Sequence, residues 1–372
     1  MKWLQNGNLA KLVAFFVISV VITCTVSFAA NGWESFVGDV NGSDSLATDN
    51  SSGGENKNDG PLKDQDDTVQ VILPTERYYH GITGLEIDAA DSSRSPLCFV
   101  FSSTDPLYGI SASYLTIEIP TEYGNTRLLC FTDDAKTLGK IGSLAPSRGY
   151  ISNLASYFGG ILLYYGNDDS VQYEHSDVEE YLDFSETLGY CYTEYNSFVY
   201  TNADLVSAFM NNSKIDATMS EAVTLPYFFP EFGERVLLGG GTANNVSIVY
   251  SDGNSTQLVY SPADNCYLFS KNAAVRTDLL NDKALKYDNA FILYADSTTY
   301  ESADTTQLIL DTYSRGKGIY MTDGQYVEIA WEKDLSGNLV FYSADGERLY
   351  VNRGSSYISF VKSSMQATVK IS

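Results

Sequence analysis

The sequence predicts an α+β fold, with a mixed α/β half over residues 69–225 and a mainly antiparallel β half over residues 226–372. Three observations carry this. In the first half, apolar runs of strand length alternate with apolar residues at helical spacing. In the second, strand-like runs are separated by Asp-Gly and Ser-Gly dipeptides, which supply the positive φ angles of tight hairpins. The aromatic content is 28 Tyr and 18 Phe against 3 Trp, which suits strands and amphipathic surfaces, and 372 residues suffice for one large core or two modest ones.

Taken in order, residues 97–101 after Pro96 read as a short apolar strand. Residues 115–120 alternate and 127–132 are apolar again, so Glu122-Tyr123-Gly124-Asn125 between them is the turn of a hairpin. A helix follows with Ser147 as its expected N-cap, Ile151, Leu154, Ala155 and Phe158 on one face, and Gly159-Gly160 as its stop. Residues 161–165 are a buried strand. Ser176 and Glu179 form a capping box for a short helix reaching Leu182. Asn202 caps another helix, with Leu205, Val206, Phe209 and Met210 turned inward.

Beyond about residue 225 the strand-like runs are 246–250, 257–260, 290–294, 307–311, 318–321, 326–331, 339–342 and 356–361. Asp252-Gly253, Asp323-Gly324, Ser336-Gly337 and Asp345-Gly346 are the expected turns. No regular internal repeat is visible.

Ahead of the folded body, Lys2 and Lys11 flank a polar start and residues 12–30 run almost without polar side chains. This is either the apolar core of a secretory signal or a membrane-anchoring helix, which needs about 20 apolar residues to span. Ser27 and Ala29 fit a small-x-small cleavage site. Cys24 opens a third reading, lipidation, although Thr23 is a poor residue before a lipidated cysteine. Residues 31–68, rich in Gly, Ser, Asn and Asp, read as a flexible acidic linker. The expected location is the extracytoplasmic face of the membrane, tethered, or secreted if the signal is cleaved.

With 23 Lys and Arg against 47 Asp and Glu, the net charge is -24. That field repels phosphate backbones and anionic headgroups, so nucleic acid is excluded as a partner and membrane contact is expected through the N-terminal segment only. Five cysteines, Cys24, Cys98, Cys130, Cys191 and Cys266, make no C-x-x-C pair. Cys98 and Cys130 sit in apolar runs and read as buried thiols. His80 and His175 are isolated, which argues against a histidine metal site or a Ser-His-Asp triad. No dinucleotide fingerprint or P-loop is present, so no cofactor and no metal are expected.

Four polar residues near the hairpin are the candidate ligand-binding set: Glu118, Glu122, Arg127 and Arg148. Converging, they would make a carboxylate–guanidinium cleft for a sugar or a peptide carboxylate. A structural ion pair beside the hairpin is the plainer reading. Two carboxylates also raise glycosidic cleavage, with one as acid and the other as base or nucleophile. In so acidic a chain, however, two neighbouring carboxylates are expected by chance. Gly239-Gly240-Gly241-Thr242 lacks the P-loop lysine and reads as a loop. Ser314-Arg315-Gly316-Lys317-Gly318, a compact basic cluster, is either a contact for an anionic wall polymer or a turn leading into a strand. Tyr164-Tyr165, Trp331 and Tyr357 offer a sugar-stacking platform or, more plainly, core aromatics.

The C-terminal texture resembles the YerB-like (DUF3048) lipoprotein family. The resemblance rests on Ser314-Arg315-Gly316-Lys317-Gly318, Asp323-Gly324, Trp331-Glu332-Lys333, Phe341-Tyr342-Ser343-Ala344-Asp345-Gly346 and Asn352-Arg353-Gly354-Ser355-Ser356-Tyr357-Ile358. A fainter likeness to the family's N-terminal unit includes Pro106, Gly109-Ile110, Glu118, Gly124-Asn125-Thr126-Arg127, Lys140-Ile141-Gly142, Arg148, Tyr150, Tyr165-Gly166 and Tyr200-Thr201. Together they span about residues 85 to 363. The chain departs from the family's G-P-V-R-S-A-R run, reading Gly142-Ser143-Leu144-Ala145-Pro146-Ser147-Arg148, and so lacks one of two arginines. A His-Asn pair falls on Ser197-Phe198 and a histidine on Tyr165. The resemblance implies fold and location and brings no chemistry with it. The reading favours a non-enzymatic binding or scaffold module acting on cell-wall polymer or on wall-synthesis membrane proteins. The alternative is a wall glycan hydrolase or transferase using Glu118 or Glu122.

Overall fold

The hairpin expected around residues 121–125 lies at the centre of the architecture. The computed structural model describes residues 77–166, 182–183, 189–195, 197–215, 217, 224–301 and 306–372. The expected export segment 1–30, the expected linker 31–68, Cys24, His175 and the expected capping box of Ser176 and Glu179 fall outside them. Chain order begins with β1 (Leu97–Ser102), β2 (Leu115–Pro120), β3 (Thr126–Thr132), β4 (Ile141–Leu144), α1 (Gly149–Tyr157), β5 (Ile161–Tyr164), β6 (Tyr192–Glu194), β7 (Phe198–Thr201) and α2 (Ala203–Ser213). Then come β8 (Asn245–Ser251), β9 (Asn254–Ser261), β10 (Cys266–Lys271), β11 (Asn289–Ala295), β12 (Ser297–Glu301) and β13 (Thr306–Leu310). Last are β14 (Arg315–Thr322), β15 (Gln325–Lys333), β16 (Leu339–Ser343), β17 (Ser356–Lys362) and β18 (Val369–Ile371). The described chain is sheet-rich with few helices, and its second half is mainly antiparallel.

One large sheet runs β15-β14-β11-β17-β2-β3-β1-β4-β7-β6, with β16 added on β15 and β5 on β1. The expected hairpin is β2–β3, with Leu115 opposite Phe131 and Pro120 opposite Thr126. The expected strands on either side of residue 225 share this sheet, because β17 lies between β11 and β2 and is parallel to both. A second sheet, β10-β9-β8-β18, packs on one face of the first. The opposite face carries α1 through Tyr150, Ile151, Leu154, Ala155 and Phe158. Strand β2 is therefore buried on both sides: Leu115, Ile117 and Ile119 join the α1-side core, and the alternate Thr116 and Glu118 point toward the second sheet.

Local chemistry accounts for several boundaries. Asn202 caps α2 as expected, accepting from the Leu205 N–H at 3.0 Å. The cap of α1 is Arg148 and not Ser147, and no side chain closes it. The Ser147 hydroxyl instead donates to the Arg148 carbonyl at 3.4 Å, while the Ser147 carbonyl accepts from both Arg127 and Arg148. Asp323 (φ 52°) and Gly324 (φ 73°) make the β14–β15 turn with the positive angles expected. Asp252-Gly253 turns β8 into β9 without a positive φ, because a register shift in β8 absorbs the bend.

Candidate functional site

Of the four candidate residues, Glu118 is the one that the fold removes from solvent. It is 0% exposed. Its carboxylate pairs with Lys271 of β10 and accepts from Thr126 Oγ1 at 2.6 Å, Thr256 Oγ1 at 2.7 Å and the Tyr357 hydroxyl. Lys271 also donates to Thr126 and Thr256, at 2.9 and 3.0 Å. Burial alone would raise the Glu118 pKa, but the Lys271 charge and the hydroxyl donors outweigh it and hold the carboxyl below its ordinary value. Glu118 thus joins the two sheets and is not a cleft residue.

The other three do converge. Glu122, Arg127 and Arg148 line one cleft of about 560 Å³, whose walls are the end of β1 and the loop after it, the 121–127 turn, the 144–148 segment and the start of β13. Arg148 grips Glu122 with two parallel contacts, Nε to Oε1 and Nη2 to Oε2, both 3.0 Å. Arg127 donates to the carbonyls of Pro146 and Ser147. Burial pushes the Glu122 pKa up, but the Arg148 hydrogen bonds more than reverse this, and the carboxyl sits below its ordinary value. Glu122 also accepts the Leu308 N–H at 3.2 Å, tying the turn to β13. The ion pair favoured by the sequence and the cleft are therefore one feature.

The turn is held from a third direction. Its Gly124 carbonyl accepts from Asn254 Nδ2 at 2.8 Å and Ser251 Oγ at 3.3 Å, at the tip of the β8–β9 hairpin. Between Glu122 and Gly124 stands Tyr123, 82% exposed and at φ 59°, ψ 24°, a conformation rare for a bulky side chain. Tyr123 lines the cleft and was missed by the sequence reading, which treated it as one turn residue among four. An aromatic at a position where Gly or Asn is expected was the available signal.

The remaining aromatic candidates belong to the core. Tyr164, Trp331 and Tyr357 are buried, and Trp331 Nε1 donates to the Tyr294 carbonyl at 3.1 Å. Tyr165 is half-buried against the core. The 239–242 loop leads through a two-residue strand on β15, where a side chain at Gly240 would strike the Tyr326 carbonyl. Arg315 and Lys317 lie on β14, and Gly316 lets the backbone pass Trp331 and the Tyr294 carbonyl. His80 is a turn anchor: Nδ1 accepts the Ile82 and Thr83 N–H groups at 3.2 Å, leaving Nε2 to donate to Asp133. Cys98, Cys130 and Cys266 are buried thiols.

With the geometry in hand, likeness to known proteins becomes informative. Residues 246–358 match the C-terminal domain of DUF3048, a family described as protein of unknown function. The fold is similar to the crystal structure of YerB protein from Bacillus subtilis, with a TM-score of 0.67 and 21% identity, covering 79% of this chain and 99% of that one. The chain is similar to the YerB-like DUF3048 proteins over its C-terminal residues and in its fold. No curated protein matches the sequence. The YerB-like resemblance also gives the cleft a context. Ala145, which stands where the family run has its first arginine, lines the cleft beside Arg148.

Proposed function

We propose that this DUF3048 protein is an exported, envelope-tethered binding module, without catalytic activity, whose ligand site is the cleft of Glu122, Arg127 and Arg148. The carrying observation is the two-point Glu122–Arg148 contact, which fixes both side chains at the wall of a polar cleft open to solvent. Export is supported by the apolar 12–30 segment after Lys2 and Lys11, and the acidic 31–68 stretch would hold the body off the membrane. On this reading the partner is cell-wall polymer or a wall-synthesis membrane protein. Residues 69–225 would be the family's mixed α/β N-terminal unit and residues 226–372 its C-terminal unit, joined through the shared sheet.

The hydrolase alternative asks one carboxyl to stay protonated near neutral pH as a general acid. Glu118 and Glu122 are both shifted in the opposite direction, and Glu118 has no access to solvent. This favours binding over cleavage. The test is sedimentation of the protein with purified cell-wall sacculi, alongside Arg127→Ala and Arg148→Ala. Saturable binding lost in both variants, with no soluble fragments released, is expected. Fragment release abolished by Glu122→Gln would make the protein an enzyme. Sacculus binding indifferent to both arginine variants would move the site elsewhere.

A further inference from the structure

Resting on the reading of the cleft as the binding site, we infer that its ligand is a neutral, hydroxyl-rich sugar ring stacked on Tyr123. Tyr123 carries its ring into solvent from a left-handed backbone that costs free energy for any residue but Gly, Asn or Asp. The turn that imposes this conformation is fastened on three sides: by Arg148 through Glu122, by Asn254 and Ser251 through Gly124, and by the Leu308 N–H. The backbone that carries the ring is therefore held in place before any ligand arrives, which lowers the ordering cost of binding. A pyranose has a flat C–H face for such a ring and a rim of hydroxyls. The cleft supplies matching hydroxyl and amide groups from Ser102, Thr104, Thr121, Asn125 and Gln307.

Charge decides which sugar. The charged lining residues are Asp105, Glu122, Arg127 and Arg148, two carboxylates against two guanidiniums, so their formal charges cancel. The whole chain stands at -24. A polyanionic wall polymer would approach through a repelling field toward a site with no net positive charge to hold it. A cationic peptide would find the stronger attraction outside the cleft. An uncharged sugar loses nothing to either.

The experiment is isothermal titration calorimetry of the full chain with two uncharged probes, chitotetraose and maltotetraose, at low and at high salt. It compares wild type, Tyr123→Phe and Tyr123→Asn. Asn adopts the left-handed region readily, so loss of the ring is separated from loss of the fold, and thermal melting should show a Tm no lower than wild type. Expected results are binding of at least one probe, affinity unchanged by salt within about twofold, Tyr123→Phe within about twofold of wild type, and Tyr123→Asn weaker by roughly tenfold. Failure of both probes to bind, or equal affinity in Tyr123→Asn, overturns the inference. A steep fall with salt does the same. If sacculi still bind and Arg127→Ala still abolishes that binding, the cleft reading survives and only the ligand class is wrong. If Arg127→Ala leaves sacculus binding intact, the cleft reading fails first.

Discussion

Tyr123 and the Glu122–Arg148 pair are neighbours with opposite energetics. A bulky residue at φ 59° costs on the order of 1 kcal/mol or more relative to a residue at ease there, and its exposed ring recovers little by packing. Tyr123→Gly is therefore expected to hold or raise stability in denaturant titrations; a loss above about 1 kcal/mol would mean the ring supports the fold. The ion pair works the other way. Arg148→Ala leaves a largely buried carboxylate without its two charge-assisted hydrogen bonds, for an expected loss of about 2 kcal/mol. Because the folded-state pKa of Glu122 is depressed, its stabilisation is present above the ordinary carboxylate pKa. It is lost as pH falls through the folded value. Thermal melts over the acid range should show a shallower decline in Glu122→Gln than in wild type, and equal slopes would assign the acid sensitivity to other carboxylates.

At the level of elements, the β2–β3 hairpin and its neighbour β1 set both the core and the reach of the site. Cys98 on β1 and Cys130 on β3 are buried in adjacent strands, and burial pushes both thiols up, Cys130 to about 12. Neither forms appreciable thiolate in the native state at neutral pH, and the thiolate is the reactive species. Both should resist a thiol reagent until the protein unfolds, and mass mapping of the labelled residues checks it. Prompt modification of either in the native protein would mean that the sheet opens locally. Alternation in β2, the apolar run of β3 and the turn residues between them made the hairpin legible in the sequence, because all three are local. The start of α1 was misread for a local-versus-tertiary reason. Ser147 is a good N-cap by type, but the Arg127 guanidinium from β3 and that of the adjacent Arg148 occupy its carbonyl, and the chain enters the helix at Arg148 instead.

For the molecule as a whole, Glu118 and Lys271 form a buried charged link between the two sheets, with Thr126, Thr256 and Tyr357 completing the hydrogen bonding. Removing one partner strands the other charge in the interior, so Lys271→Met is expected to cost about 3–5 kcal/mol. The double variant Glu118→Gln with Lys271→Met, which buries no charge, should recover a substantial part of that loss. Chemical denaturation of the three variants decides the matter, and a double variant no more stable than Lys271→Met would deny the coupling. Thr126 belongs both to this link and to the cleft lining, which places the floor of the cleft on the joint between the sheets.

Periodicity and turn chemistry by themselves determined most strands of the described chain, the β2–β3 turn and the Asn202 cap, and the sequence also carries the family resemblance that runs from Ser314 to Ile358. These are properties of neighbouring residues, and they survive translation into sequence because local sterics and side-chain alternation produce them. Tertiary structure alone decided that β17, near the C-terminus, threads between β11 and β2, since parallel pairing between strands far apart in the chain leaves no local mark. It also sorted the four candidate polar residues. Glu118 and Glu122 differ by four positions, yet one is sealed between sheets against Lys271 and the other faces a cleft with Arg148. The partners that make that difference come from β10 and from the start of α1, and only packing brings them to the hairpin.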